Sequence, residues 1–146
     1  DVHGSRGLGD VYKRQIPDKA HEFKKLVNES IGIIISLAEH NGSYTSAFKN
    51  IYDWISVIET TVWSNKPLIL LSTSDGQNAG KTVLQTALSR FSRQSKEEIP
   101  HFSLPNFNEN FSDTDGIINK KLSEQLDKQI SIFSRQVDNL LNSSNN

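Results

Sequence analysis

Two short apolar runs, at residues 31–38 and 68–71, are the features that most constrain how this chain can fold. Both are rich in Ile and Leu and contain no charged residue. Such a run, bounded by polar residues, is typical of a strand buried on both faces of a parallel sheet. Each run is followed by a polar loop with glycine and then by apolar residues spaced three and four apart, which predict a helix. The repeated order of strand, loop and helix predicts an α/β fold with a parallel sheet.

The rest of the chain is assigned from the same periodicities. A helix is predicted at residues 17–27, where Lys24 and Lys25 are expected to face solvent. The apolar stripe at residues 122–140 predicts a long last helix, which either docks onto the sheet, the favoured interpretation, or forms a coiled-coil seam. The remaining predictions are helices at residues 44–58 and 81–91, a weaker third strand at 99–104, a polar loop at 105–116 and a frayed tail at 142–146.

The charge balance and the absence of cysteine exclude several classes of function. The chain has 146 residues with 16 Lys+Arg and 17 Asp+Glu, which gives a net charge of -1. This balance lacks the positive surface that nucleic acids or anionic membranes require, so we expect neither as a partner. Without cysteine there is no disulfide and no thiolate metal site, and a cytoplasmic location is expected. The histidines show no metal-ligand spacing, so no metal is expected either.

The first fifteen residues form a separate segment. The chain contains no methionine, and residues 5–15, SRGLGDVYKRQ, resemble the in-frame translation of a sequencing-library adapter. We therefore expect residues 1–15 to be non-native and disordered, and the native part of the chain to be residues 16–146. The segment holds two acids and three bases, so residues 16–146 carry 15 acids and 13 bases, a net charge of -2.

The two polar loops are the candidate ligand sites, because parallel α/β sheets bind ligands at the carboxyl ends of their strands. The second loop is similar to a phosphate-binding loop, but only three residues separate Gly76 from Gly80 where that motif needs four. In the first loop, Glu39, His40 and Ser43 suggest a hydrolase triad, yet neighbours in sequence seldom point at one another. Nucleotide hydrolysis and hydrolase chemistry are therefore both disfavoured.

The pair Asn41-Gly42 is a local signal for a tight hairpin turn. The residues that follow it are helix-periodic rather than alternating, so we expect no hairpin at this position. Ser43 or Thr45 is predicted instead to cap the helix that follows.

The first loop and the helix after it carry a family resemblance. Residues 39–44, EHNGSY, followed by residues 48–54, FKNIYDW, resemble the Glu-Tyr-Asn-Gly-Ser and Leu-Lys-Asn-x-x-Asp-Trp signature of NAD(P)H-dependent FMN reductases with a flavodoxin-like fold. The agreement continues in the glycine loop and at residues 104–111, and it covers residues 16 to about 133. The resemblance implies a flavoenzyme in which FMN accepts a hydride from the co-substrate NAD(P)H and passes electrons to a flavin, quinone or similar small-molecule acceptor.

The resemblance also implies which residues bind FMN and how subunits assemble. Hydride transfer requires no acid or base residue, so no catalytic side chain is assigned. A homodimer or homotetramer of the full-length protein is implied, formed through the helix that contains Phe48 and Trp54. The implied FMN-binding residues are Glu39, His40, Asn41, Gly42 and Ser43 in the first loop, and Ser72, Thr73, Ser74 and Gly76 in the second.

Three departures from the family pattern bear on activity. His40 stands where Tyr is common, and residues 75–79 lack the Pro, the Arg and one Gly of the family's loop. The family's first strand, phosphate-binding loop, first helix and second strand would precede Ile16. In the strand order 2-1-3-4-5, the chain would then hold only strands 3-4-5 as the C-terminal part of the domain, with residues 31–38 as an exposed apolar edge. We therefore expect the full-length protein to be the enzyme, and this part of it to fold poorly and to bind FMN weakly or not at all.

Two alternative functions remain open. A flavodoxin-type electron-transfer protein without reductase turnover would use the same fold and cofactor, although such carriers tend to be more acidic than a net charge of -2. An interaction protein would instead use the apolar stripe at residues 122–140.

Overall fold

A computed structural model describes residues 16–144 of the chain. The hypothesis that residues 1–15 derive from an adapter lies outside the described residues and stays a prediction. The helices are α1 (Asp18–Glu29), α2 (Ser46–Ile58), α3 (Lys81–Phe91), α4 (Phe107–Asn110) and α5 (Lys120–Ser144), and the strands are β1 (Ile33–Leu37), β2 (Glu39–His40), β3 (Ser43–Tyr44), β4 (Leu68–Thr73), β5 (His101–Leu104), β6 (Phe111–Ser112) and β7 (Gly116–Ile117).

The central element is a three-stranded parallel sheet in the order β1-β4-β5. Ile33 lies opposite Leu68 at one end of the β1–β4 ladder, and Leu37 lies opposite Ser72 at the other. All three strands point the same way because each connection between them contains a helix, which carries the chain back to the start of the sheet. The predicted α/β fold with a parallel sheet is confirmed.

The first strand differs from the prediction in its burial. Ile35 and Leu37 are buried, but Ile34, which lies on the other face of the strand, is 64% exposed. The expectation that this run is buried on both faces is therefore wrong for β1, which is an edge strand of the described sheet. The physical reason is that one of its faces packs on the helical core while the other is left largely uncovered.

The helices lie on both faces of the sheet. Ile35 and Leu37 pack on one face in the same cluster as Val27 of α1, Ile55 of α2 and Val83 of α3. The last helix, α5, packs on the opposite face against β4 and β5.

A glycine brings α5 close to the start of β1. A Cβ atom added to Gly32 would lie 2.8 Å from side-chain atoms of both Phe133 and Val137. The apolar stripe of α5 therefore docks onto the sheet, as predicted, and no coiled-coil partner is needed to explain it.

A row of five aromatic rings connects the core to the carboxyl end of the sheet. Tyr44 lies 5.2 Å from Phe48, Phe48 lies 6.1 Å from Tyr52, and Tyr52 lies 6.0 Å from Trp63, measured between ring centroids. Trp63 in turn meets Phe91 edge-on at 5.2 Å. Because Tyr44 follows the first polar loop directly, this packed row fixes where that loop can lie.

Lys24 is buried, which contradicts the expectation that it faces solvent. Its ammonium donates to the carbonyls of Thr61 and Val62 at 2.9 and 2.8 Å and to Ser64 Oγ at 2.8 Å. Glu59 Oε2 lies 3.0 Å away and supplies the opposite charge. The long apolar stem of Lys fits the buried face of α1 while the ammonium holds the loop after α2, and helical periodicity alone does not reveal such a partner.

The C-terminal third is more ordered than predicted. The segment expected to be a polar loop contains the short helix α4 and the two-stranded ladder of β6 and β7. The last helix continues to Ser144, beyond the predicted start of a frayed tail. None of the helices in the described part of the chain combines the length and apolarity that crossing a membrane requires.

We expect Lys24→Met to lower the free energy of unfolding by about 3 kcal/mol, because it leaves two carbonyls, one buried and one partly buried, and a carboxylate without their shared donor. Lys25→Met is the matched control, since Lys25 is exposed and its ion pair with Glu29, at 3.7 Å, lies at the surface. The control should change stability by less than about 0.5 kcal/mol. Urea denaturation followed by circular dichroism measures both, and equal effects would contradict a structural role for Lys24.

Candidate functional site

The two polar loops lie side by side because of the register of the sheet. Leu37, the last residue of β1, lies opposite Ser72 near the end of β4. Both strands therefore deliver their following loops to the same carboxyl edge, where ligands of parallel α/β sheets bind. The structure thus brings together the two groups of residues that the sequence singled out.

The first loop forms a tight hairpin, so the expectation of no hairpin is wrong. β2 and β3 are antiparallel, with Glu39 opposite Tyr44 and His40 opposite Ser43. Asn41 and Gly42 form the turn with φ angles of 51° and 72°, as a type I′ turn requires. The helical periodicity misled the prediction because Tyr44, which packs with the aromatic residues of α2, precedes the helix itself.

The helix after the hairpin begins with a side-chain cap. Thr45 Oγ1 accepts a hydrogen bond from the amide of Phe48 at 3.2 Å. Of the two predicted candidates, Thr45 is therefore the cap, whereas Ser43 belongs to β3. The cap fixes the direction in which the chain leaves the hairpin.

Hydrogen bonds of Ser72, at the start of the second loop, hold that loop to its own far end and to β5. Ser72 Oγ donates to the carbonyl of Ala79 at 2.7 Å and lies 2.7 Å from Ser103 Oγ. Gly80 packs directly on Ser72, since a Cβ at this position would lie 3.0 Å from the Ser72 Cβ. With a φ angle of 67°, Gly80 also occupies the left-handed region that favours glycine.

The chain after β5 fastens the same loop from the other side. The amide of Asn106 donates to the Gly76 carbonyl at 3.2 Å, and the amide of Phe107 donates to the Ser74 carbonyl at 3.0 Å. Asn106 has a φ angle of 45°, a conformation that Asn tolerates better than most residues. The sequence predicted a polar loop from residue 105, but nothing in it indicated the contact of this segment with the glycine loop.

Glu39 joins the hairpin to the glycine loop. Its Oε2 accepts a hydrogen bond from the amide of Val83 at 2.9 Å, and its Oε1 accepts one from Asn78 Nδ2 at 3.2 Å. Val83 lies in the first turn of α3, whose cap residue Gly80 has no side chain to offer. Glu39 therefore supplies the missing cap from a neighbouring loop, and its negative charge is favourable at the positive end of the helix.

The side chains of the predicted FMN-binding residues fall into two groups. Ser72 is buried, and the Thr73 hydroxyl donates to the carbonyl of Leu104 at 2.8 Å, so these hydroxyls hold the loop together. His40 and Asn41 are exposed at the hairpin. The nine positions lie at one edge, and their contact with a flavin stays a prediction: Glu39, His40, Asn41, Gly42, Ser43, Ser72, Thr73, Ser74 and Gly76.

The groups at this edge fit the ring of a flavin better than its phosphate. Gly42 and Gly76 have no atom within 4 Å of an added Cβ, which leaves their backbone open to a flat ligand. Residues 16–144 contain three arginines, at positions 90, 93 and 135, and none of them lies in the hairpin or the glycine loop. Across the same residues, no three His, Asp or Glu side chains converge as a metal site requires.

Tyr44 carries a hydroxyl that is buried without a hydrogen-bond partner. The pKa of Tyr44 is raised from its ordinary value of 10.0 to about 12, chiefly by burial and also by the neighbouring Tyr52, while the positive charge of Arg90 opposes the shift. The folded state therefore favours the neutral phenol, so the resulting stability is present below pH 10 and is lost as the pH rises towards 12.

We expect Tyr44→Phe to lose less stability than the wild type between pH 10 and 12, because it removes the group whose pKa is raised over that interval. Urea denaturation at the two ends of this interval measures the difference. An equal loss in both proteins would contradict the shifted pKa.

We expect Glu39→Ala to destabilise the chain by about 1–2 kcal/mol through loss of the cap on α3. Amide exchange should rise first at Val83 and in the glycine loop, because these backbone groups lose their partner or their anchor. The matched control is Glu109→Ala, since Glu109 is an exposed acid in α4, the short helix that follows β5. Exchange that rises equally in both variants would argue against the cap.

The sequence matches the family of NADPH-dependent FMN reductases over residues 6–118. A 2-hydroxy-1,4-benzoquinone reductase from a Burkholderia species is 30% identical over 89 residues, which is 60% of this chain and 48% of that protein. The chain therefore spans about half the length of this curated relative.

Two solved structures share the fold. FerB, a flavoenzyme NAD(P)H:(acceptor) oxidoreductase from Paracoccus denitrificans, superposes with a TM-score of 0.69 at 17% identity, covering 94% of this chain and 79% of that one. An oxidoreductase from Corynebacterium diphtheriae gives 0.57 at 20% identity, covering 85% and 62%. The fold is flavodoxin-like, and from the match over most of its length the chain belongs to the NADPH-dependent FMN reductase family.

Proposed function

We propose that this protein is an NAD(P)H-dependent FMN oxidoreductase that passes electrons to a small-molecule acceptor. The observation that carries the proposal is the joined pair of loops at the carboxyl edge of the sheet, in a chain of this family. FMN, when bound, supplies the redox chemistry by taking a hydride from NAD(P)H and giving electrons to the acceptor. The residues of the chain bind and orient the reactants.

The proposed roles of the nine site residues follow from their exposure and hydrogen bonds. His40, Asn41 and Gly42 are exposed at the hairpin and would contact the isoalloxazine ring. Glu39 and Ser72 act through other residues, since the carboxylate holds α3 and the hydroxyl holds the Ala79 carbonyl. The remaining residues, Ser43, Thr73, Ser74 and Gly76, would border the ring through exposed backbone or short side chains.

A quinone or a second flavin is the proposed acceptor. The Burkholderia relative is named for reducing a benzoquinone, a flat molecule of the same general shape as the flavin ring. The open space at Gly42 and Gly76 suits such flat molecules better than branched or bulky ones.

We also propose that the protein forms a homodimer or homotetramer in the cytoplasm. The subunits would meet through α2, which carries Trp54 and the partly exposed apolar residue Val57.

We expect FMN and riboflavin to bind the chain with affinities that differ by less than tenfold, which corresponds to about 1.4 kcal/mol. The reason is that the described edge offers groups for the ring but no arginine for the phosphate. Quenching of flavin fluorescence measures both affinities. His40→Ala should weaken the binding of both ligands several-fold. The control is His21→Ala, since His21 is an exposed histidine on α1.

Turnover separates the reductase from an electron carrier. With FMN present, steady-state oxidation of NAD(P)H by benzoquinone should exceed the rate with free FMN alone. Flavin binding without such turnover would favour the electron-transfer protein, and no flavin binding at all would contradict both functions for this chain.

A further inference from the structure

A second cleft lies along the outer edge of β5, apart from the hairpin and the glycine loop. It has a volume of about 420 Å³ and runs between the first turns of α3 on one side of the sheet and the first half of α5 on the other. A volume of this size is within the range that small-molecule sites occupy. None of the nine proposed flavin-site residues lines it.

The floor of the cleft is apolar and its rim is positively charged. Its apolar lining consists of the buried Leu84 and Phe102 and the half-buried Leu122, from α3, β5 and α5. Lys81 and Lys128 line it from the two helices, and both side chains are exposed. Helical spacing explains the arrangement, because residues three and four apart on each helix share one face.

The described residues that line the cleft include no acid to neutralise these lysines. Two acids lie nearby on α5, but Glu124 is within 3.9 Å of Lys120 and neither Glu124 nor Asp127 lines the cleft. The two exposed lysines therefore line a cleft whose lining includes no residue of opposite charge, a pattern that attracts an anion.

Polar donors supplement the lysines along the edge of β5. The amide of His101 donates to Gln129 Oε1 at 3.0 Å, which orients the Gln129 side chain and leaves its amide NH₂ group available. His101 Nδ1 lies 3.1 Å from the carbonyl of Ile99, so its Nε2 is the ring nitrogen left for a ligand. The cleft thus offers directed polar groups beside an apolar floor.

We propose that this cleft binds a small anion with an apolar body, such as an aromatic carboxylate. The carboxylate would lie between Lys81 and Lys128, and the ring would cover the surface formed by Leu84, Phe102 and Leu122. The proposal does not rest on the flavin chemistry, since it uses a different edge of the sheet and different side chains.

The test is a titration of the full chain with 2-naphthoate in the presence of excess FMN, followed by calorimetry. The neutral analogue 2-naphthylmethanol and inorganic phosphate are titrated in parallel, because the first lacks the charge and the second lacks the apolar body. We expect 2-naphthoate to bind saturably and both comparison compounds to bind more weakly than it does.

The double variant Lys81→Gln/Lys128→Gln should weaken 2-naphthoate binding at least about fivefold, as the loss of two exposed charge pairs implies. Lys121→Gln is the matched control, since Lys121 is an exposed lysine of α5 that does not line the cleft. Both lysines are exposed, so thermal melts of the variants should match the wild type. No saturable binding, equal binding of the neutral analogue, or no effect of the double variant would overturn the proposal.

Discussion

The candidate site depends on one carboxylate that does the work of a missing helix cap. Gly80 stands before α3 because a Cβ atom there would lie 3.0 Å from the Ser72 Cβ, and because its φ angle is positive; both conditions disfavour a side chain. A helix that starts with glycine has no side-chain oxygen for its first amides. Glu39 reaches across from the hairpin and accepts from Val83, so the same bond that completes the helix also locks the two loops together.

Some polar residues of the site hold its loops in place, and others are exposed to a ligand. The hydroxyls of Ser72 and Thr73 hold the glycine loop to β5 and to its own far end, and Glu39 holds the hairpin to α3. What remains exposed at the surface includes the two glycines Gly42 and Gly76, together with His40 and Asn41 of the hairpin. A flavin ring carries its own reactivity, so a protein edge of this kind needs rigidity more than it needs acids or bases.

The sequence predicted the parts of the fold that depend on local pattern. The apolar runs predicted the first two strands of the parallel sheet, and the apolar stripe of α5 predicted that this helix packs on the sheet. Lys24 and Ile34 were assigned wrongly for one shared reason: their burial depends on what packs across from them. Nothing near Lys24 in the sequence reveals the carbonyls of Thr61 and Val62, which are 37 and 38 residues away.

The hairpin shows how local and longer-range signals compete in the site itself. Asn41-Gly42 alone gave the correct turn, and the error came from extending the periodicity of α2 back to Tyr44. Tyr44 has the spacing of a helix residue and its ring packs at a tilt against Phe48, yet its backbone belongs to β3. A buried ring next to a helix satisfies the same apolar pattern as a ring on the helix. For short strands beside helices, turn residues with positive φ are therefore stronger indicators of backbone path than apolar spacing is.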